Sequence, residues 1–180
     1  MAESDYSFTA TLLQAAKPGD GEPWAFLVLP KQASEILPRR GRTSVTGTIN
    51  GQAFSARLEP DGQLSHWLKV DADLQAAAGI AAGDTVSVTI APVENEPEPP
   101  LPEDFARALG SAAEARAVWD NTTTLARVDW IHWIESAKQA KTRTKRINDA
   151  CQMLAEGKKR VCCFDVSGFY SKGLKAPESL

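Results

Sequence analysis

Five cations crowd one short stretch of this sequence: Lys138, Lys141, Arg143, Lys145 and Arg146. Just ahead of them stand Trp130, His132 and Trp133. Cations at this density hold carboxylates or phosphates, the arginines through a planar fork that matches two oxygens. Thr142 reads as a helix N-cap, which places the arginines at a helix N-terminus whose backbone N–H groups also favour an anion. Cations are unusual there, because the helix dipole is already positive. The ligand candidates in this stretch are Lys138, Thr142, Arg143 and Arg146, with Trp130 and Trp133 as an aromatic platform.

Each has a second reading. Arg143 lies one turn before Ile147, on the stripe of Ala150, Cys151 and Leu154, and a guanidinium there must be paired. A structural bridge to Asp120, Asp129 or Glu135 therefore competes with a ligand clamp, and a solvated basic face is the third reading. Trp130 and Trp133, three apart on an amphipathic helix, read equally as core. His132 falls off that stripe, at a surface or a domain interface.

Two further candidates lie earlier. On the alternating strand Leu64 to Val70, His66 shares the inner side with Leu64, Leu68 and Val70, and Trp67 points outward. An outward Trp needs a cover, either the rest of the chain (a helical domain) or a ligand or partner. Arg39, Arg40 and Arg42 form a basic, solvated loop.

The elements that position these residues fall into two kinds. Up to about residue 92 the pattern is β. Tyr6, Phe8, Ala10 and Leu12 alternate with polar residues, and Trp24 to Leu29 is apolar on both faces, as in a central strand. Ser44 to Ile49 and Gln52 to Leu58 flank Asn50-Gly51, the pair that a type I′ hairpin turn demands. A short helix over Asp71 to Gly79 precedes the alternating strand Thr85 to Ile90. About six strands with frequent turns predict a small closed barrel, since closure removes exposed edges.

Pro92 to Pro102 holds five prolines and reads as an extended linker. Beyond it the pattern is helical: a helix starting at Pro102 with Phe105 and Leu109 inward, and a second capped by Ser111 and running through Trp119. A third carries Trp130, Ile131, Ile134 and Ala137, and a fourth carries Ile147, Ala150, Cys151 and Leu154 and stops at Gly157. The organisation is thus a barrel over 1–92, a linker over 93–102, a helical domain over 103–160 and a loop-like tail over 161–180.

Composition excludes several classes. With 43% hydrophobic and 24% charged residues and a net charge of -3, the 180-residue chain is globular and has no global pull toward nucleic acid. Eighteen apolar residues never run together, so no membrane span is expected, and the acidic start MAESDYSF does not read as a signal peptide. The three cysteines, Cys151, Cys162 and Cys163, read as reduced thiols of a cytoplasmic protein. Neither His66 nor His132 lies at metal-ligand spacing, so no metal or cofactor is expected. No nucleophile-elbow, phosphate-loop, dinucleotide or zinc-protease motif occurs.

The stretch WIESAKQAKTRTKRINDACQMLAEGKK resembles the YdeI/OmpD-associated family, also called bacteriocin-protection proteins. Trp133, Ile134, Ala137, Lys138, Thr142, Arg143, Arg146, Ile147, Leu154, Ala155 and Gly157 carry that resemblance, with PEDFARAL (Pro102 to Leu109) as the opening helix. Upstream, Trp24-Ala25-Phe26 through Pro30, Val45 to Gly51 and Gly83 to Val86 resemble the β-barrel called domain of unknown function 1905. That resemblance implies a split barrel similar to the AbrB/MazE class. Fold class is therefore α+β, a small closed or split barrel followed by a small helical domain.

The expected function is non-enzymatic. The protein binds a small or anionic ligand or a partner protein, in a stress or envelope-protection role that rests on the family name alone. A nucleic-acid binder using the barrel loops is the alternative, opposed by a pI near 5.5. An enzyme with an unrecognised site is the third class.

Overall fold

The computed structural model describes residues 5–17, 19, 21–161 and 174–180. Cys162, Cys163 and the greater part of the tail lie outside the described residues. The chain forms two compact units, one of Met1–Asn95 with Ser171–Leu180 and the other of Glu96–Tyr170.

The first unit is a nearly closed antiparallel barrel. Its strands are β1 (Tyr6–Thr11), β2 (Leu13–Gln14), β3 (Ala25–Val28), β4 (Thr43–Ile49), β5 (Gln52–Pro60), β6 (His66–Val70) and β7 (Thr85–Pro92), in the order β1-β7-β4-β5-β6-β3-β2. β1 and β2 are one strand divided at Leu12, so the two ends of that order are joined by the chain itself. Before Leu12 the strand pairs with β7, Phe8 opposite Val88; after it, Leu13 sits opposite Phe26 of β3. Leu12 makes the crossing, donating its N–H to Asp84 O at 2.8 Å and accepting from Gly83 N–H at 2.7 Å.

Alternation fills the barrel. Val86, Val88 and Ile90 of β7 point inward with Leu12, Leu27, Val45, Ile49, Leu58, Leu68 and Val70, all buried. The hairpin of β4 and β5 turns at Asn50 (φ 47°) and Gly51 (φ 82°), the two left-handed residues of a type I′ turn. Asn50 adds a tie: its N–H donates to Ser87 O and its Oδ1 accepts from Ser87 N–H, both at 2.8 Å, fastening the hairpin tip to β7. Helix α1 (Lys31–Glu35) follows β3. Helix α2 (Ala72–Ala78) is capped by the Asp71 carboxylate on Leu74 N–H and closed by left-handed Gly79.

Two expectations for this unit need correction. The strand at Leu64 begins only at His66. Asp61 Oδ1 accepts from the N–H groups of Gln63 and Ser65, and this tight turn puts Leu64 at φ 69° and leaves it 61% exposed. The end of the tail is also more than a loop. Ser179 bridges Ala15, Ala16 N–H donates to Glu178 O at 2.8 Å and Leu180 N–H to Gln14 O at 3.0 Å, so the last residues extend the β2 edge.

The second unit holds α3 (Glu103–Gly110), α4 (Ala113–Asp120), α5 (Thr124–Glu135) and α6 (Ala140–Ala155). Phe105, Leu109, Trp119, Trp130, Ile131, Trp133, Ile134, Ile147, Ala150 and Leu154 form its core. Val128, Trp130, Ile131, Trp133 and Ile134 are buried on successive turns of α5, more than one face can carry. α6 ends in paired bonds, Gly157 N–H to Leu154 O and Lys158 N–H to Met153 O, with Gly157 at φ 92°.

Two caps differ from expectation. Ser111 closes α3 instead of opening α4, and Thr123 caps α5 on Ala126 N–H at 3.1 Å. Thr142 is not the cap of α6, because Arg143 N–H already bonds Gln139 O at 3.0 Å. The chain is therefore wound through residues 140–142, and Thr142 lacks the extended backbone a cap requires.

Candidate functional site

The residues singled out by chemistry fall into three places. In the helical unit the basic cluster is largely engaged by the protein's own groups. Arg143 donates Nε to Asp104 Oδ2 at 2.7 Å and Nη2 to Asp104 Oδ1 at 3.0 Å. A carboxylate bridge was one of the expected readings; its partner is Asp104 of α3 and not Asp120, Asp129 or Glu135. The guanidinium holds the Asp104 carboxyl below the usual carboxylate range, and the carboxylate raises Arg143 in turn. Arg146 donates Nη1 to Trp133 O at 2.6 Å and to Ser136 Oγ at 2.9 Å, closing the carbonyl end of α5, and lies 5.4 Å over the Trp133 ring. Lys145 reaches Asp149 at 2.6 Å, one turn on. Lys138 and Lys141 are exposed and Thr142 is half-buried.

Trp130 and Trp133 are both buried, ring centroids 6.3 Å apart and edge to face. Trp130 Nε1 donates to Lys159 O at 3.1 Å, so the indole is satisfied inside the unit. His132 is half-buried on the same helix.

In the barrel unit His66 is fully buried. Gly41 O, 2.9 Å from Nε2, can only accept, so Nε2 carries a hydrogen, and Nδ1 shares a hydrogen bond with the Ser34 hydroxyl at 3.0 Å. Ser34 Oγ also lies 2.7 Å from Ser65 Oγ, which donates to Leu29 O at 2.7 Å. The imidazole thus ties α1 and the 39–42 loop to β6. Burial pushes its pKa below the ordinary value; the Asp61 charge opposes that shift and Arg40 adds to it. Trp67 stacks on Trp24 at 6.1 Å and meets Phe26 edge-on, also at 6.1 Å. The barrel thus supplies rings of its own beside Trp67.

The loop Arg39 to Arg42 departs in part from the solvated basic loop expected: Arg40 is exposed and Arg39 half-buried, but Arg42 is buried. Arg42 is only 5% exposed and pairs with Glu59 at 2.5 Å, and Arg40 Nη1 donates to Leu64 O at 2.6 Å. Backbone and carboxylate acceptors brought in by β5 and the Asp61 turn occupy these cations.

A concavity of the helical unit lies elsewhere, where the Glu98–Leu101 segment passes α4 and α5. It holds roughly 340 Å³ and is lined by Glu98, Pro99, Leu101, Arg116, Trp119, Asp120, Arg127 and Ile131. Pro99 is buried and Leu101 packs on the core, so this part of the Pro-rich stretch is a wall rather than a solvated linker. Arg127 builds that wall. Its Nε goes to Glu98, Nη1 to Thr122 O and to Thr122 Oγ1 at 3.1 Å, and Nη2 to Thr124 Oγ1 at 3.3 Å. Arg116 is different: only its Nε is used, toward Asp120 Oδ1 and Oδ2 at 3.0 and 3.3 Å. Its two terminal nitrogens make no hydrogen bond to the described residues. Sequence reading missed this cleft. Its signal was an Arg and an Asp one helical turn apart, bracketing Trp119.

A second hollow, in the barrel unit, holds roughly 400 Å³ between Gly21–Trp24, Lys69 and Asp71–Asp73. There the chain's own Lys69 ammonium sits 4.8 Å over the Trp24 ring.

Residues 8–90 match the family model for the domain of unknown function DUF1905, and residues 98–157 match the family described as "Bacteriocin-protection, YdeI or OmpD-Associated". Two family matches thus follow one another along the chain, DUF1905 first and the YdeI/OmpD-associated family second. No curated protein matches it significantly. The whole α4–α5 cleft falls inside the YdeI/OmpD-associated domain, including Glu98 and Pro99 from the Pro-rich stretch. So do Trp133, Arg143, Arg146, Ile147, Leu154 and Gly157. In this chain those signature residues build the helical core, the bridge to α3, the closure of α5 and the stop of α6.

Proposed function

We propose that this protein is a non-enzymatic binding protein whose YdeI/OmpD-associated domain takes a small ligand in the α4–α5 cleft. One observation carries the reading: Arg116, with both terminal nitrogens unused among the described residues, stands beside an apolar floor of Trp119 and Ile131 in a cleft of roughly 340 Å³. A few polar groups converging over an apolar base is the common form of a small-molecule site, and this volume lies at the small end of such sites. The lining contains no Ser, Cys, His or Lys, which supports binding over hydroxyl, thiol, amine or imidazole chemistry. The family description supports a protective role against bacteriocins; that it works by binding is the reading proposed for the cleft.

An amide NMR screen of the full chain against amino acids, simple carboxylates and sugar phosphates tests this. Shifts should gather on Glu98–Leu101, α4 and the start of α5, with the Trp119 indole among them. Shifts confined to the start of α6, or none from any class, would overturn the reading.

A further inference from the structure

We propose that the ligand of this cleft is a free α-amino acid with an apolar side chain, an inference that rests on the binding reading above. The rim argues for a zwitterion. Two guanidiniums (Arg116, Arg127) and two carboxylates (Glu98, Asp120) line the cleft, so the lining balances in charge. A phosphate or other multiply charged anion would meet two carboxylates on entering, and a simple cation two guanidiniums. A neutral molecule with separated charges meets neither penalty.

The two halves of the rim differ in freedom. Arg127, its side chain only 18% exposed, is committed to Glu98, Thr122 and Thr124, while Glu98 itself is 53% exposed. Arg116 and Asp120 form a solvent-facing pair, 47% and 57% exposed, of the kind that exchanges partners readily. The Nη1 and Nη2 donors of Arg116 match a carboxylate fork, and Asp120 beside it accepts an ammonium. A free amino acid carries both groups on one carbon, so a single molecule satisfies both residues of the pair. Its side chain is then directed toward Trp119 and Ile131, which are apolar and buried at the base. The volume accommodates one amino acid.

The test uses the full chain and three probes with the same side chain: phenylalanine, N-acetylphenylalanine and phenylalanine amide, titrated by amide NMR. Phenylalanine should shift the cleft residues, and each blocked form should bind at least about tenfold more weakly, having lost one ionic partner. Arg116→Ala sits on an exposed side chain, so a melting curve like that of the parent will confirm its fold. It should abolish the preference for the free acid over the amide. Blocked forms that bind as tightly as phenylalanine would overturn the zwitterion inference and leave the binding cleft standing. The same holds if carboxylates or sugar phosphates shift the cleft and phenylalanine does not. Silence from every probe class would overturn both.

Discussion

Arg143 and Asp104, 39 residues apart, meet as a two-pronged fork with bonds of 2.7 and 3.0 Å. Asp104 stands in the first turn of α3 and also accepts from Phe105 N–H at 2.9 Å. The carboxylate is favoured by the α3 dipole, and it offsets the cost of placing a guanidinium in the first turn of α6. The unusual cation at a helix start is thus answered from a neighbouring helix. Arg143→Ala should lose about 1 kcal/mol of stability, a modest figure because both side chains are about a third exposed and solvent screens the pair. Urea midpoints in chloride and in phosphate at matched ionic strength should show the same loss. A loss present only in phosphate would reassign Arg143 to an anion site.

Acid should weaken the protein in two windows. The His66 pKa is lowered from 6.5 by burial, so the folded state binds fewer protons than the unfolded chain below that pH. The stability that neutral His66 confers is present above pH 6.5 and is lost as the pH falls from there toward its folded pKa. Asp104 is lowered from 3.8, so its contribution holds above that pH and disappears only in stronger acid. An NMR titration of the His66 ring followed alongside denaturation should show the barrel weakening in step with imidazole protonation. A His66 that titrates above 6.5 would contradict the first window.

Two barrel glycines should respond very differently to alanine. At Gly51 an added Cβ meets nothing within 4 Å, so Gly51→Ala costs only the left-handed backbone, about 1 kcal/mol. At Gly47 the same atom would lie 1.8 Å from Thr89 O, where β4 and β7 are hydrogen-bonded and neither backbone can withdraw. Gly47→Ala should cost about 3 kcal/mol or more. Equal melting temperatures for the two variants would show the β4–β7 register to be wrong.

Removing residues 174–180 should destabilise the barrel by about 1–2 kcal/mol, since the Ala16 N–H and the Gln14 carbonyl lose their backbone partners across the β2 edge. Leu174 O also packs against Gly62, 2.4 Å from where a Cβ would stand. A barrel fragment ending at residue 95 should therefore melt below the same barrel in the full chain. Hydrogen exchange at Ala16 offers a direct check, because its amide should lose protection in the truncated chain.

Local pattern was enough for the elements. Alternation in Tyr6 to Leu12 and Thr85 to Ile90 wrote the strands, Asn50-Gly51 wrote the turn, and Gly157 wrote the helix stop, because each depends on conformational preferences within a few residues. Charge and residue type also showed that Arg143 needed a partner. They could not say which, since Asp104 becomes a neighbour only when α3 lies beside the start of α6. The same holds for Arg42 with Glu59, for Arg146 on the Trp133 carbonyl, and for the hydroxyl and carbonyl that hold His66. A paired cation and a solvated one have the same local sequence, and only the fold supplies the acceptor. The cleft is the extreme case. Pro99, Trp119, Arg116 and Ile131 have no common period, and they face one cavity because a Pro-rich segment that sequence reads as a linker lies against the helices it leads into.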